Sequence, residues 1–411
     1  MARIRPFRAL RPPVERAADV ASVPYDVVNS AEAAELAKGN PWSFLHVSRP
    51  EIDLPPGTDL YSDEVYAKAR ENLDRLTAEC PLAVDAEPSL YLYRQRMGEH
   101  EQTGLVACCS VDEYDADLIK KHERTRRDKE DDRTRHMLAL GAQTGPVFLT
   151  YRAEADVTRI AQKAAADAPL IDFAAADGVQ HTIWRVGGAD RDALVDAFGR
   201  IGSLYIADGH HRAASAARAR AEMRDRGIRG TSLGDGADAS TMLAVAFPHD
   251  QVQILPYNRT VKDLGGLSPA DSTAMLRERF EIEAGPAAPA RRGDVAMYFQ
   301  RGWHTLRPRV PPNASDPIAS LDVSVLQEML LAPVLKIADV RTDKRIDFVG
   351  GARGTAALEQ AVDSAKAAVG FSLFPVSVAD LMAVSDAGKI MPPKSTWFEP
   401  KLRDGLLIHV I

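Results

Sequence analysis

Short apolar runs that suit buried strands alternate irregularly along this chain with stretches of helical spacing. The first 28 residues are extended pieces broken by Pro6, Pro12, Pro13 and Pro24. Ser30 followed by Glu32 to Ala37 reads as a short capped helix that stops at Gly39-Asn40-Pro41. Trp42 to Val47 is strand-like, and after the Pro-rich loop Pro50 to Pro56 the spacing predicts a helix over about 63–80. Leu90 to Tyr93 and Gly104 to Val111 flank the polar turn Met97-Gly98-Glu99-His100, a predicted hairpin. Within it Cys108 and Cys109 point to opposite faces and read as small buried hydrophobes. A highly charged segment, Ile119 to Arg135, leads into Met137-Leu138-Ala139-Leu140.

In the second half, strands are expected at Val147–Tyr151, Gln180–Val186, Ser203–Ala207 and Met242–Phe247, with helices over 154–166, 190–199 and the Ala/Arg/Glu-rich run 213–223. The Gly/Asp-rich stretch 230–240 reads as a flexible loop, and the loose Pro/Ala/Gly stretch 285–293 as a lobe boundary or an inserted hairpin. Further helices are predicted over 322–335 and 355–369, and strands over 371–376 and 406–411. Neither a repeat nor a heptad array is present. The pattern is that of a mixed α/β (α+β) protein in two parts, a core over 1–285 and a C-terminal α/β lobe over 286–411 closing over the site.

Composition narrows the class. With 411 residues, 45% hydrophobic and 27% charged, the chain can bury a sizeable core and is neither disordered nor fibrous. A net charge of −7 counts against a nucleic-acid partner. Three cysteines without a C-x-x-C pair suit a reducing compartment. The N-terminus MARIRPFRALRPP lacks the apolar core of a secretory signal, and no apolar run approaches the ~20 residues that span a bilayer. The expectation is a cytoplasmic protein with no membrane or nucleic-acid partner.

The sharpest chemical signal is Leu204 to Ala207 running into Asp208-Gly209-His210-His211-Arg212 and then an Ala-rich helix. The first N–H groups of a helix have no internal partner, and the peptide dipoles place roughly half a positive charge there. Phosphate binds such a terminus, and glycine lets the backbone approach it. His210, His211 and Arg212 add donors, while Asp208 has the charge for Mg²⁺ or for holding a histidine tautomer. The plain alternative is a capped helix start with a solvated histidine pair. A second segment, Lys121-His122-Glu123-Arg124-Thr125, reads by itself as a solvated helix with an ion pair from Glu123 to Arg127. Zinc-protease spacing would need histidine where Arg126 stands, so metal binding by histidine is not expected. Pro392-Pro393-Lys394-Ser395-Thr396 fails as a Walker loop because Pro393 replaces the required glycine, and Gly350 to Gly354 is a turn. Val23-Pro24-Tyr25-Asp26 alone is a turn with a satisfied carboxylate.

Taken in order, these segments resemble a bacterial and archaeal family known as domain of unknown function 1015. The resemblance rests on Val23 to Val28, Asn40 to Val47, His122-Glu123-Arg124-Thr125 with Asp132-Arg133, Ile206 to Arg212, Leu321 to Leu326 and Met391 to Thr396. The Asp-Gly-His-His-Arg segment is also similar to the nucleotide-binding turn of the ParB/sulfiredoxin-like superfamily, which includes free-serine kinases. His210 stands where sulfiredoxins carry cysteine, and no recognition helix accompanies the turn. The resemblance implies a ParB/sulfiredoxin-like core with added N- and C-terminal segments, transferring a phosphoryl group from ATP or ADP to the hydroxyl of free L-serine. On that reading Gly209, His210, His211 and Arg212 bind phosphates, and Asp208 holds Mg²⁺. Glu123 is the general base, with Asp208 as the alternative. Lys394, Ser395 and Thr396 close over the phosphates or the substrate carboxylate. Asp26, His122 and Thr125 bind substrate, Asp26 through its ammonium. The competing readings are a nucleotide-binding regulatory switch and a kinase for another hydroxylated metabolite. Oligomeric state is left open, a homodimer among the options.

Overall fold

The hairpin predicted around Gly98 forms, Tyr91–Met97 pairing with His100–Val106, in the structure, a computed structural model that describes residues 2–227 and 238–411. Residues 230–237 of the expected Gly/Asp-rich loop lie outside the described residues. The fold is mixed α/β, and the chain divides into two compact units, Met1–Val252 with Pro400–Ile411, and Gln253–Glu399.

In the first unit the strands are β1 (Ile4–Arg5), β2 (Leu90–Met97), β3 (His100–Ser110), β4 (Ile119–Lys120), β5 (Val147–Tyr151), β6 (Ile171–Ala174), β7 (Gln180–Val186), β8 (Leu204–Asp208) and β9 (Thr241–Pro248). They form one sheet in the order β4-β8-β5-β9-β3-β2-β7-β6, with β1 also paired to β3. Most pairs are antiparallel, but β9 runs parallel to β5, and β4 runs parallel to β8 with Ile119 opposite Leu204. The longer helices are α1 (Ser30–Ala37), α2 (Asp63–Glu79), α3 (Arg127–Leu140), α4 (Ala155–Ala164), α5 (Gly188–Phe198) and α6 (His210–Asp225). A capping box between Asn29 and Glu32 starts α1. A large apolar cluster joins the sheet to α4, α5 and α6 through Leu149, Ile160, Leu194, Phe198, Ile206, Ala213 and Ala216. A second cluster holds Phe44, Val47, Leu73, Leu76, Leu140 and Ile408.

Three local expectations change. Trp42–Val47 is no strand; Leu45–Ser48 forms a helical turn, because Phe44 and Val47, three apart, share the burial against Leu73 and Leu76. The charged segment is not one helix: β4 ends at Lys120 and α3 starts only at Arg127, so Glu123 lies in a connecting loop and not on a helical face with Arg127. At the C-terminus only His409–Val410 pairs as strand, against Ala142–Gln143.

The second unit carries the antiparallel strands β10 (Tyr257–Val261), β11 (Phe280–Ala284), β12 (Val295–Phe299), β13 (Gly302–Pro308), β14 (Ile346–Gly350) and β15 (Val369–Leu373) in the order β11-β13-β12-β15-β10-β14. Because β10 pairs with both β14 and β15, the boundary falls at 252/253 and not at 285, and residues 285–293 link two strands of one sheet. Residues 400–411 return to the first unit. The helix expected over 322–335 is α-helical only at Asp322–Leu326 and continues as a π-helical stretch, Gln327–Leu331; that over 355–369 stops at Asp363, and Val369 opens β15. Among the described residues no helix is long and apolar enough to cross a membrane.

A close-packed point tests this sheet. A Cβ on Gly104 in β3 would meet Val245 Cγ1 at 2.6 Å and Phe247 Cε1 at 2.8 Å. Gly104→Ala is expected to destabilise the protein by ~1–3 kcal/mol through overpacking, read as a lower urea midpoint.

Candidate functional site

Strand β8 delivers the chain to Gly209 through a register irregularity between Ile206 and Asp208. Gly209 takes the left-handed conformation, φ 90° and ψ 30°, and α6 opens at the next residue. A Cβ at Gly209 would also press on Arg212 Cζ and Nε at 3.0 Å, which adds to the preference of the backbone conformation for glycine. No side chain caps this terminus. Its leading amides and the positive end of a 16-residue helix dipole are therefore available to an anion.

The parallel pairing of β4 with β8 sets the loop after β4 beside this turn. The His122 backbone N–H donates to His210 Nε2 at 3.4 Å, and the Arg126 backbone N–H donates to His211 Nε2 at 3.1 Å. The rings of His122 and His210 meet edge to face at 4.5 Å. Glu123, with its side chain 43% exposed, places Oε2 4.0 Å from His210 Nδ1. On the far side α6 is held to α3 by Arg218, which pairs with Glu130 and Asp131.

Charges close the site from below. Arg212 is buried; it donates to the Pro146 carbonyl and sits 3.7 Å from Asp26 Oδ2, while its Nε has no partner. Asp208 accepts the Gly209 N–H on Oδ1 at 2.8 Å and the Lys401 ammonium on Oδ2 at 2.9 Å. Burial works against its ionisation, but Lys401 and Arg212 outweigh it and hold the carboxyl well below the usual range. Asp404 shows the opposite balance. Its burial, with Asp26 adding repulsion, outweighs Arg212 and pushes it up to about 7; its Oδ1 has no hydrogen-bond partner. Burial lowers His122 to about 4 and, with His122 as neighbour, holds His210 well below its ordinary value, so both rings are neutral near pH 7.

The structure gathers Asp26, His122, Glu123, Asp208, Gly209, His210, His211 and Arg212 into one neighbourhood. Other expectations shift. Thr125 is engaged through Oγ1 by the Glu130 carboxylate, and Asp26 faces the Arg212 guanidinium. Lys394, Ser395 and Thr396 belong to the second unit, where Ser395 Oγ donates to the Pro392 carbonyl at 2.6 Å and the Lys394 carbonyl accepts Arg259 Nη2 at 2.9 Å. Asp208, expected to hold Mg²⁺ and to be the alternative base, accepts an N–H on one oxygen and the Lys401 ammonium on the other, which leaves a lone pair on each oxygen beside a fixed positive charge. Metal donors also occur where histidine spacing gave no hint, since His210 comes from 88 residues beyond His122. Sequence reasoning missed Lys401 and Asp404. The only signal was a charged patch, Lys401, Arg403 and Asp404, ahead of the apolar Leu406–Ile411.

The chain belongs to the family described as protein of unknown function DUF1015, which it matches over residues 4–324. No curated protein matches it. Among solved structures it is similar to a free serine kinase in complex with AMP, at 14% identity and TM-score 0.35, over 72% of this chain and 86% of that one. It is also similar to a conserved hypothetical protein from Pyrococcus furiosus (13%, TM-score 0.36, 74% and 94% covered). A third is C-terminally truncated SbnI from Staphylococcus aureus (13%, TM-score 0.41, 74% and 87% covered).

The Asp208–Lys401 pair gives a pH test. A carboxyl lowered on folding contributes stability above its unfolded value of ~3.9 and loses that contribution as the pH falls. Lys401→Met is expected to cost ~1–3 kcal/mol at pH 7, below the ~3–5 of a fully buried pair. It should also flatten the acid limb of stability against pH, as measured by denaturant titrations between pH 7 and 3.

Proposed function

We propose that this DUF1015 protein is a small-molecule phosphotransferase that binds a nucleotide's phosphates at the Asp208–Arg212 turn and passes the terminal phosphoryl group to a hydroxyl, with free L-serine as acceptor. One observation carries the reading: an uncapped helix N-terminus behind a left-handed glycine, backed by the buried Arg212 with its unpartnered Nε. An anion there would meet aligned amides and a guanidinium already desolvated and held in place. The residues fit a nucleotide phosphate for that reason, and ATP and ADP both satisfy it.

Phosphoryl transfer asks chiefly for positioning and charge neutralisation. The Gly209 cradle and the first amides of α6 hold the phosphate, and Arg212 spreads its charge. His211, tied to the Arg126 amide, fixes the loop that carries Glu123 against the turn. The serine hydroxyl oxygen forms the new P–O bond, its proton passes to the Glu123 carboxylate, and the bond to the nucleotide's bridging oxygen breaks. Glu123 suits that step because it is the partly exposed carboxylate at the mouth of the turn, whereas Asp208 is held by Lys401. Asp26, beside Arg212, faces the acceptor's ammonium on this reading. The cytoplasm is the setting consistent with such a substrate.

The test is nucleotide consumption across a panel of amino acids and polyols, with ATP and with ADP. Serine-dependent formation of O-phosphoserine is expected; tight nucleotide binding without turnover on any acceptor would point to a regulatory switch. Glu123→Gln is expected to lower turnover ~10²–10⁴-fold at unchanged melting temperature and nucleotide affinity. Arg212→Ala, in a folded variant, is expected to weaken nucleotide binding by ~1.5–3 kcal/mol in calorimetry, the worth of a charge-assisted hydrogen bond. Unchanged affinity would remove Arg212 from the site.

A further inference from the structure

We propose that His122, Glu123 and His210 form a binding site for one divalent ion of the zinc class, separate from the Asp208 carboxylate. One ligand atom from each residue lies within 4.8 Å of the others. Around a tetrahedral ion at ~2.0–2.1 Å, donors stand about 3.3–3.5 Å apart, so a modest inward turn of the half-exposed Glu123 closes the set.

The second observation is His122 itself. Its side chain is only 2% exposed, and its one polar backbone neighbour, Ile206, lies outside good hydrogen-bond geometry to either ring nitrogen. Edge-to-face packing against His210 fills space but satisfies no nitrogen. A buried polar group left so costs ~1–3 kcal/mol, and a metal bond satisfies the nitrogen that ligates, with the other N–H left toward the Ile206 backbone. His210 presents Nδ1 toward Glu123. Its Nε2 meets the His122 N–H at 3.4 Å, a long contact that is given up when ligation by Nδ1 moves the ring proton to Nε2. Two imidazoles and one carboxylate are the donors preferred by zinc, cobalt(II) or iron(II) over magnesium, and three protein ligands leave a position open.

The donors come from two places in the chain: the loop after β4 and the first residue of α6. The proposal does not require the phosphotransfer reading. Where both hold, one Glu123 oxygen binds the ion and the other takes the hydroxyl proton.

The experiment titrates the chelator-treated full-length protein, without nucleotide, with Co²⁺ and Zn²⁺, followed by calorimetry and visible absorption. One equivalent of Co²⁺ with ligand-field bands of nitrogen and oxygen coordination is expected, displaced by Zn²⁺. His122→Asn should weaken Co²⁺ binding by more than the ~10–100-fold typical of losing an outer-shell partner. Glu123→Gln, on a half-exposed side chain, should weaken it as well and decides the matter if the buried variant fails to fold. Absence of Co²⁺ binding, unchanged binding in Glu123→Gln, or a loss seen in Asp208→Asn but not in His122→Asn would overturn the assignment. Since no nucleotide is present, none of these results bears on whether serine is phosphorylated.

Discussion

At φ 90° Gly209 turns the chain out of β8 and directly into α6, so the leading amides of the helix emerge at the end of a sheet strand, the second from one edge. A residue with a side chain takes that conformation only at a cost, and its Cβ would press on the Arg212 guanidinium at 3.0 Å. Everything else at the site is arranged around this corner. The parallel pairing of β4 with β8 sets His122 and Glu123 on one side of it, and the return of residues 400–411 sets Lys401 and Asp404 on another.

The corner is also where charge is concentrated. Arg212 lies buried among Asp26, Asp208 and Asp404, an arrangement that is costly to desolvate and has to be compensated in place. Compensation is uneven. Asp208 has an ammonium and an amide to itself and stays ionised, whereas Asp404 has neither and titrates near neutrality. Such unevenness is poor economy for a structural core but normal where a fold holds donors ready for an anionic ligand.

The two units differ in what they bring. The first combines a mixed nine-stranded sheet with helices and carries every member of the turn cluster. The second is built on a six-stranded antiparallel sheet, in which the buried Arg259 bonds to backbone carbonyls and not to a carboxylate, and it carries Lys394, Ser395 and Thr396 outside that sheet. The sequence similarity to DUF1015 over 4–324 spans the first unit up to Val252 and about half of the second.

Much was determined by local sequence. The hairpin around Gly98, the strands at Val147–Tyr151 and Gln180–Val186, and the strand-turn-helix at Leu204–Arg212 follow from periodicity and one glycine, and they formed as read. Elsewhere burial overruled propensity: Trp42–Val47 had strand-forming residues, yet Phe44 and Val47 gain more by packing three apart against α2. By spacing alone Glu123 and the Asp-Gly-His-His-Arg turn are two separate candidates, joined only through the family resemblance, because chain spacing carries no information on contacts 85 or 88 residues apart. Only the tertiary structure could decide that His122 and His210 face each other, that Lys401 takes the second oxygen of Asp208, and that the domain boundary precedes β10. The reason is physical: turns and helix starts are local properties of a few dihedral angles, whereas ion pairs, donor clusters and strand order depend on which distant segments share one sheet.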